Sequence, residues 1–264
     1  MRLVSVFCCA VLAILTFSGA ANAAPVLLTE IPAYDWYHGC GPTAAASVLG
    51  YWELHGYTNM FTANDPDVYL TANVQDQISS PAHNTKYDPT PDAGGPVPAF
   101  TSIADWFQTS VDPLEFGWSY LSDSDNAFTG YAGYRGYTFN SWFEGYVTAG
   151  APGFTWADLV AEIGAGRPIM FLVDTDGNGG TDHFVPVFGY DDRGQDGLWY
   201  GCYTTWTEAE TVAWYQFRGM GNDWGVGYAT FCVPGGGQVP EPAALMSLVT
   251  GLALLGGYRL RRKA

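Results

Sequence analysis

Apolar residues recur along this chain with helical spacing in some stretches and strand-like runs in others, and the changes of spacing mark its elements. Ala44, Ala45, Ala46, Val48, Leu49, Tyr51, Trp52 and Leu54 predict a strong helix with an apolar stripe, closed by Gly56. Residues 100–110 predict a second helix, capped by Thr101 or Ser102, with Ile103, Trp106 and Phe107 facing in. Residues 155–166 predict a third: Thr155 caps it, Asp158 lies in its first turn, Leu159, Val160 and Ile163 face in, and Gly164 or Gly166 ends it. Strands are predicted at 167–173 and at 181–192, the latter a buried run that ends in the turn Gly189-Tyr190-Asp191-Asp192. Residues 64–98, crowded with Pro, Asp, Gly and Asn, predict irregular surface with one or two short helices, and the Gly and Tyr tract 130–137 predicts a turn-rich β region.

Two further apolar runs differ from these in their flanks. Met1-Arg2 precedes the run 3–17 and Ala21-Asn22-Ala23 follows it, the pattern of a secretory signal peptide cleaved after Ala23, which removes Cys8 and Cys9. The run 243–258 is preceded by Val239-Pro240-Glu241-Pro242 and followed by Arg259-Leu260-Arg261-Arg262-Lys263; it is short for a stable span, and its basic end is expected to stay cytoplasmic. That order of features resembles the PEP-CTERM sorting signal of exported bacterial proteins, whose tail is processed by a membrane-embedded sorting protease. The expected organisation is a signal peptide at 1–23, one domain at 24–236 and a sorting tail with a short transmembrane segment at 237–264, with delivery to the cell envelope or extracellular matrix.

Charge narrows the partners. The formal net charge is −16 with ten Lys and Arg. Arg2, Arg259, Arg261, Arg262 and Lys263 leave with the ends, so the domain retains Lys86, Arg135, Arg167, Arg193 and Arg218. Such a surface argues against nucleic acid and anionic membranes, and it favours solubility or a basic substrate. Cys40, Cys202 and Cys232 then remain, an odd count in an oxidising compartment. Cys202 and Cys232 lie on late apolar segments that would suit neighbouring strands, and their pairing would leave Cys40 free.

Cys40 is the chemically suggestive residue. In Tyr37-His38-Gly39-Cys40-Gly41-Pro42-Thr43 it stands where the first helix begins, so the free amides and dipole of that end are expected to stabilise a thiolate. Gly39 and Gly41 would let a substrate backbone approach, and the Cys40 amide would serve as an oxyanion donor. Of His38, His55, His83 and His183, the last has the setting of a base, at the start of a buried strand after a Gly-rich loop. His38, on the same turn as the cysteine, is expected to be a local polar residue or part of a subsite.

Gly39-Cys40-Gly41-Pro42-Thr43-Ala44, followed by Asp182-His183-Phe184-Val185 and Gly189-Tyr190-Asp191, resembles the papain-like cysteine peptidases of the bacteriocin-processing, double-glycine type. The resemblance covers residues 26–234. It implies an α+β papain-like fold in which the N-terminal helix bearing the Cys packs on an antiparallel β-sheet bearing the His. It implies Cys40 as nucleophile, His183 as base, and a peptide or protein substrate. Where the family carries a Gln as second oxyanion donor, this chain reads Ile31-Pro32-Ala33-Tyr34-Asp35-Trp36, leaving the Tyr34 hydroxyl or the Trp36 indole for that role. Where the family carries an Asp or Asn to orient the His, residues 198–206 contain neither, and Thr204 is the nearest candidate, acting through its hydroxyl.

This chemistry needs no cofactor. Asp174, Asp176 and Asn178 resemble the first half of a calcium loop, but Val185 stands where the bidentate Glu belongs, so an acidic hairpin between two strands is the favoured reading over Ca2+. Three functional readings stay open: an exported cysteine peptidase or amidase, a related acyl transfer such as transamidation that would use the same pair with a different acceptor, and a catalytically degenerate binding or matrix protein that kept the fold.

Overall fold

A computed structural model describes residues 24–61, 67–87, 96–148, 151–206 and 211–235; the expected signal peptide and sorting tail lie outside the described residues. In chain order come β1 (Val26–Leu27), α1 (Cys40–Leu54), α2 (Thr71–Ile78), α3 (Pro81–Tyr87), α4 (Ile103–Trp106), α5 (Ser124–Tyr134), β2 (Phe139–Gly145), α6 (Trp156–Gly164), β3 (Ile169–Asp174), β4 (His183–Asp192), β5 (Leu198–Cys202), β6 (Ala213–Gln216) and β7 (Gly225–Pro234). The strands make one antiparallel sheet in the order β2-β7-β3-β4-β5-β6, with β1 added to β4.

Alternation along β3 and β4 divides the core in two. Met170, Leu172, Phe184 and Phe188 join α1, α2, α4 and α5 on one face, whereas Ile169, Phe171, Val173, Val185 and Val187 pack with Leu159 and Ile163 of α6 on the other. Both β3 and β4 are therefore apolar at almost every position, as a strand covered on both faces must be. Helix α1 is buried from Gly41 to Trp52, which makes it the central helix of the first core. Thr155 caps α6, its hydroxyl accepting from the Asp158 amide while Asp158 reaches back to the Thr155 amide, as the sequence predicts.

Three expectations are corrected. The tract 130–137 lies largely in α5, not in a β region; a Cβ at Gly130 would sit 2.2 Å from the Trp106 ring, so that glycine seats an aromatic between two helices. The second helix is a single turn, Ile103–Trp106, started by Ser102, whose amide and hydroxyl both donate to Asp105. Cys202 and Cys232 do not pair: they are free thiols in opposite cores, on β5 and β7, with β3 and β4 between them. Three strand spacings, about 14 Å, far exceed the reach of a disulfide.

Candidate active site

The turn ahead of α1 is closed by Thr43. Its hydroxyl donates to the Gly39 carbonyl at 2.7 Å and accepts the Tyr37 amide at 3.0 Å, which fixes the backbone on either side of His38 and starts the helix at Cys40. The glycines flanking Cys40 serve packing and do not open a path for substrate. A Cβ on Gly39 would lie 2.8 Å from Thr109 Cγ2, and one on Gly41 would lie 2.7 Å from Phe107 Cε1 and 3.0 Å from Ser119 Oγ. Residues 107–119 thus form a wall directly against the helix end, a neighbour that local sequence cannot reveal.

His183 opens β4, at 3 % exposure. Its Nε2–H donates to the backbone carbonyl of Thr204 at 2.7 Å, with the Thr205 hydroxyl 3.4 Å from the same nitrogen. A carbonyl only accepts, so the proton sits on Nε2 and Nδ1 carries the lone pair in the neutral ring. Thr205 has φ 61°, a left-handed conformation that strains a β-branched residue, and this bend accompanies the aim of the preceding carbonyl at His183. The Thr205 carbonyl accepts the Trp36 amide at 2.7 Å, tying the segment before Cys40 to the segment that orients His183. Trp206 covers the imidazole with ring centroids 4.2 Å apart, and Trp224 meets it edge-on at 6.1 Å.

Cys40 and His183 line one cavity of about 470 Å³, together with Trp36, Phe116, Trp118, Ser119, Asp182 and Trp206. The Cys40 thiol lies against the amides of Gly41, Cys40 and Phe184, the last being the neighbour of His183. Burial nonetheless outweighs these donors and pushes the thiol up to about 11, and the nearby Asp182 carboxylate adds to the rise. Burial therefore works against the thiolate expected at the helix end, which the amides favour. Burial also holds His183 below its ordinary value, against the Thr204 bond and Asp182, which work the other way. Both shifts favour the uncharged forms, thiol and imidazole.

Comparison with known families decides the assignment. Residues 28–225 match the family model described as Peptidase_C39 like family. The chain belongs to that family. No curated protein matches the chain. Membership accounts for the papain-like α+β arrangement, with a cysteine helix packed on an antiparallel sheet, and brings with it the cysteine peptidase class of chemistry.

Within this Peptidase_C39 like domain, several sequence-derived roles change hands. Tyr34 is 2 % exposed and its hydroxyl donates to the Val68 carbonyl, so it belongs to the core and cannot face substrate. Trp36 does line the cavity, its ring packed on Gly117 and edge-on to Phe116 at 5.8 Å. Thr204 meets His183 through its main-chain carbonyl and not through its hydroxyl. His38 packs edge-on against Tyr37 and Phe116 and does not line the cavity.

The acidic loop between β3 and β4 is the favoured hairpin. Burial raises the Asp174 carboxyl, yet amide bonds from Gly221 and Gly179, both 2.8 Å, hold it below the ordinary carboxylate range. Asp176 accepts from the Asn178 amide and side chain, and the Asn178 Oδ1 accepts from Gly180. These bonds brace the loop from within and tie it to Gly221 ahead of β7. Among the described residues no group of three His, Cys, Asp or Glu is arranged to hold a metal, and no helix is long and apolar enough to cross a membrane.

Proposed function

We propose that this protein is a cysteine peptidase or amidase that works from a neutral Cys40–His183 pair. The observation that carries the reading is the His183 tautomer: Nε2–H is committed to the Thr204 carbonyl, which leaves Nδ1 to accept a proton in the cavity shared with Cys40. The Cys40 sulfur attacks the peptide carbonyl carbon as its proton passes to Nδ1, and the carbonyl π electrons move to oxygen. The Cys40 amide supports that oxyanion. Collapse breaks the C–N bond, His183 returns the proton to the departing amine, and water, deprotonated by the same nitrogen, hydrolyses the thioester. The apolar, aromatic cavity wall suits a peptide bearing bulky side chains. Before this chemistry, the chain is exported through its first 23 residues and sorted through its Pro-Glu-Pro tail, leaving the mature domain in the envelope or matrix; the membrane is a partner through the tail alone, and nucleic acid is not one.

A second reading, a binding or matrix protein on the same fold, draws on the thiol being pushed up to about 11. Hydrolysis of a casein-derived peptide mixture by the mature domain, read by mass spectrometry beside Cys40→Ala, separates the two. New termini that vanish in the variant support the peptidase, and an unchanged mixture with wild type supports the binding protein.

A further inference from the structure

One hydroxyl in the cavity has no place in the reading above. Ser119 lines the cavity beside Cys40, and its Oγ lies 3.0 Å from where a Cβ on Gly41 would be, hard against the start of α1. A tight loop holds it there: the Ser110 amide donates to the Trp118 carbonyl and the Gly117 amide to Ser110 Oγ, both at 2.8 Å, so Ser119 returns alongside Thr109. The hydroxyls of Ser119 and Thr109 are 2.8 Å apart.

Burial sets the direction of the proton in that pair. Thr109 is fully buried, and the one partner of its hydroxyl among the described residues is Ser119 Oγ. Were Ser119 the donor, the Thr109 proton would be left buried without an acceptor among the described residues, the costlier arrangement. Thr109 therefore donates to Ser119, and the Ser119 proton is left to turn into the cavity. Thr109 is fixed in its turn by its backbone, whose carbonyl accepts His83 Nε2–H at 2.8 Å while His83 Nδ1–H donates to Asp105 at 2.8 Å.

We infer that Ser119 supplies the second hydrogen bond to the oxyanion formed on attack by Cys40, with Thr109 as its positioning residue. This rests on the peptidase reading. It fills the role for which Tyr34 is misplaced, using a donor 79 positions beyond Cys40 in the chain. A short side chain anchored from behind by a buried hydroxyl loses little freedom when the transition state forms, which is what such a donor requires.

The test uses two reagents that differ in whether an oxyanion forms. Addition of the Cys40 thiol to an aldehyde makes an S–C bond, moves the C=O π electrons to oxygen and delivers the thiol proton to His183; iodoacetamide makes an S–C bond by displacing iodide and forms no oxyanion. A panel of acetyl-Xaa-glycinals covering all twenty side chains at Xaa is titrated against the mature domain, and iodoacetamide alkylation of Cys40 is timed at about pH 9. Ser119→Ala is expected to weaken aldehyde binding and lower kcat about 10²-fold with KM within about twofold, at an unchanged alkylation rate. Thr109→Val is expected to give a smaller loss of the same kind. Equal aldehyde affinity in Ser119→Ala and wild type overturns the inference and leaves the peptidase reading standing. A parallel fall in alkylation means that Ser119 merely shapes the site and also overturns it. If no aldehyde binds wild type, the peptidase reading itself fails and the inference with it.

Discussion

Two histidines, each 3 % exposed, occupy opposite roles in this molecule. His83 meets oxygen acceptors on both ring nitrogens, the Asp105 carboxylate and the Thr109 carbonyl, and is used up as a clamp between α3, α4 and the wall behind Cys40. Among the described residues, His183 meets an acceptor on Nε2 alone, which leaves Nδ1 for the cavity. Depth of burial does not distinguish the clamp from the base; the number of acceptors around the ring does.

Substitution at each histidine breaks the comparison most sharply. His183→Ala, like Cys40→Ala, is expected to lower peptide hydrolysis by about 10⁴-fold or more with little change in melting temperature, measured by steady-state kinetics and calorimetry on the same samples. His83→Ala is expected to do the reverse. It leaves the buried Asp105 carboxylate without its His83 hydrogen bond, so stability should fall by about 1–3 kcal/mol while the folded fraction still alkylates at Cys40. Equal damage to activity and stability in both variants would erase the distinction.

The pH profile sharpens it further. Hydrolysis needs neutral His183, which burial holds below 6.5, so the acid limb of kcat/KM should lie below that value, and alkylation of Cys40 should climb towards about 11 without a neutral plateau. A plateau between two inflections would mean a preformed thiolate–imidazolium pair instead. The stability linkage has a fixed sign. A depressed native value means that the unfolded chain binds the proton more readily, so His183 contributes stability in full above about 6.5, and the contribution is lost as pH falls through its native value. Asp105, held below 3.8 by His83 and Ser102 despite its burial, adds stability of the same sign that is lost only at still lower pH. Acid denaturation followed by circular dichroism should therefore show a first loss that His183→Ala removes. The smallest effect is expected from Trp206→Ala, which lets water reach the imidazole and should move the acid limb up towards 6.5 with a loss of about 1 kcal/mol or less in transition-state stabilisation.

What was readable in the sequence was local. Glycine, proline and the alanine run fix the start of α1 at Cys40 within a few residues, and the apolar run after a glycine loop fixes β4 at His183. Roles that depend on the main chain or on distant partners were not readable. The Thr204 carbonyl has no side-chain signature, the Ser119–Thr109 pair and the His83–Asp105 pair join residues 10 and 22 apart in the chain, and the order of strands separates two cysteines that sequence proximity to apolar runs brings together. The missed clue was Gly41 itself: a glycine in the first turn of a helix, where any residue can sit, marks something pressed against it.

The two buried cysteines give the sheet a built-in pair of reporters. Among the described residues, Cys232 is sealed in the core under α1 and Cys202 in the core under α6, while Cys40 is partly open. Among the described residues, a thiol reagent at alkaline pH should therefore meet Cys40 first and the other two only as the layers part. Because each late thiol belongs to one layer, the order in which they react over hours tells which half of the molecule loosens first, with no label added to the chain.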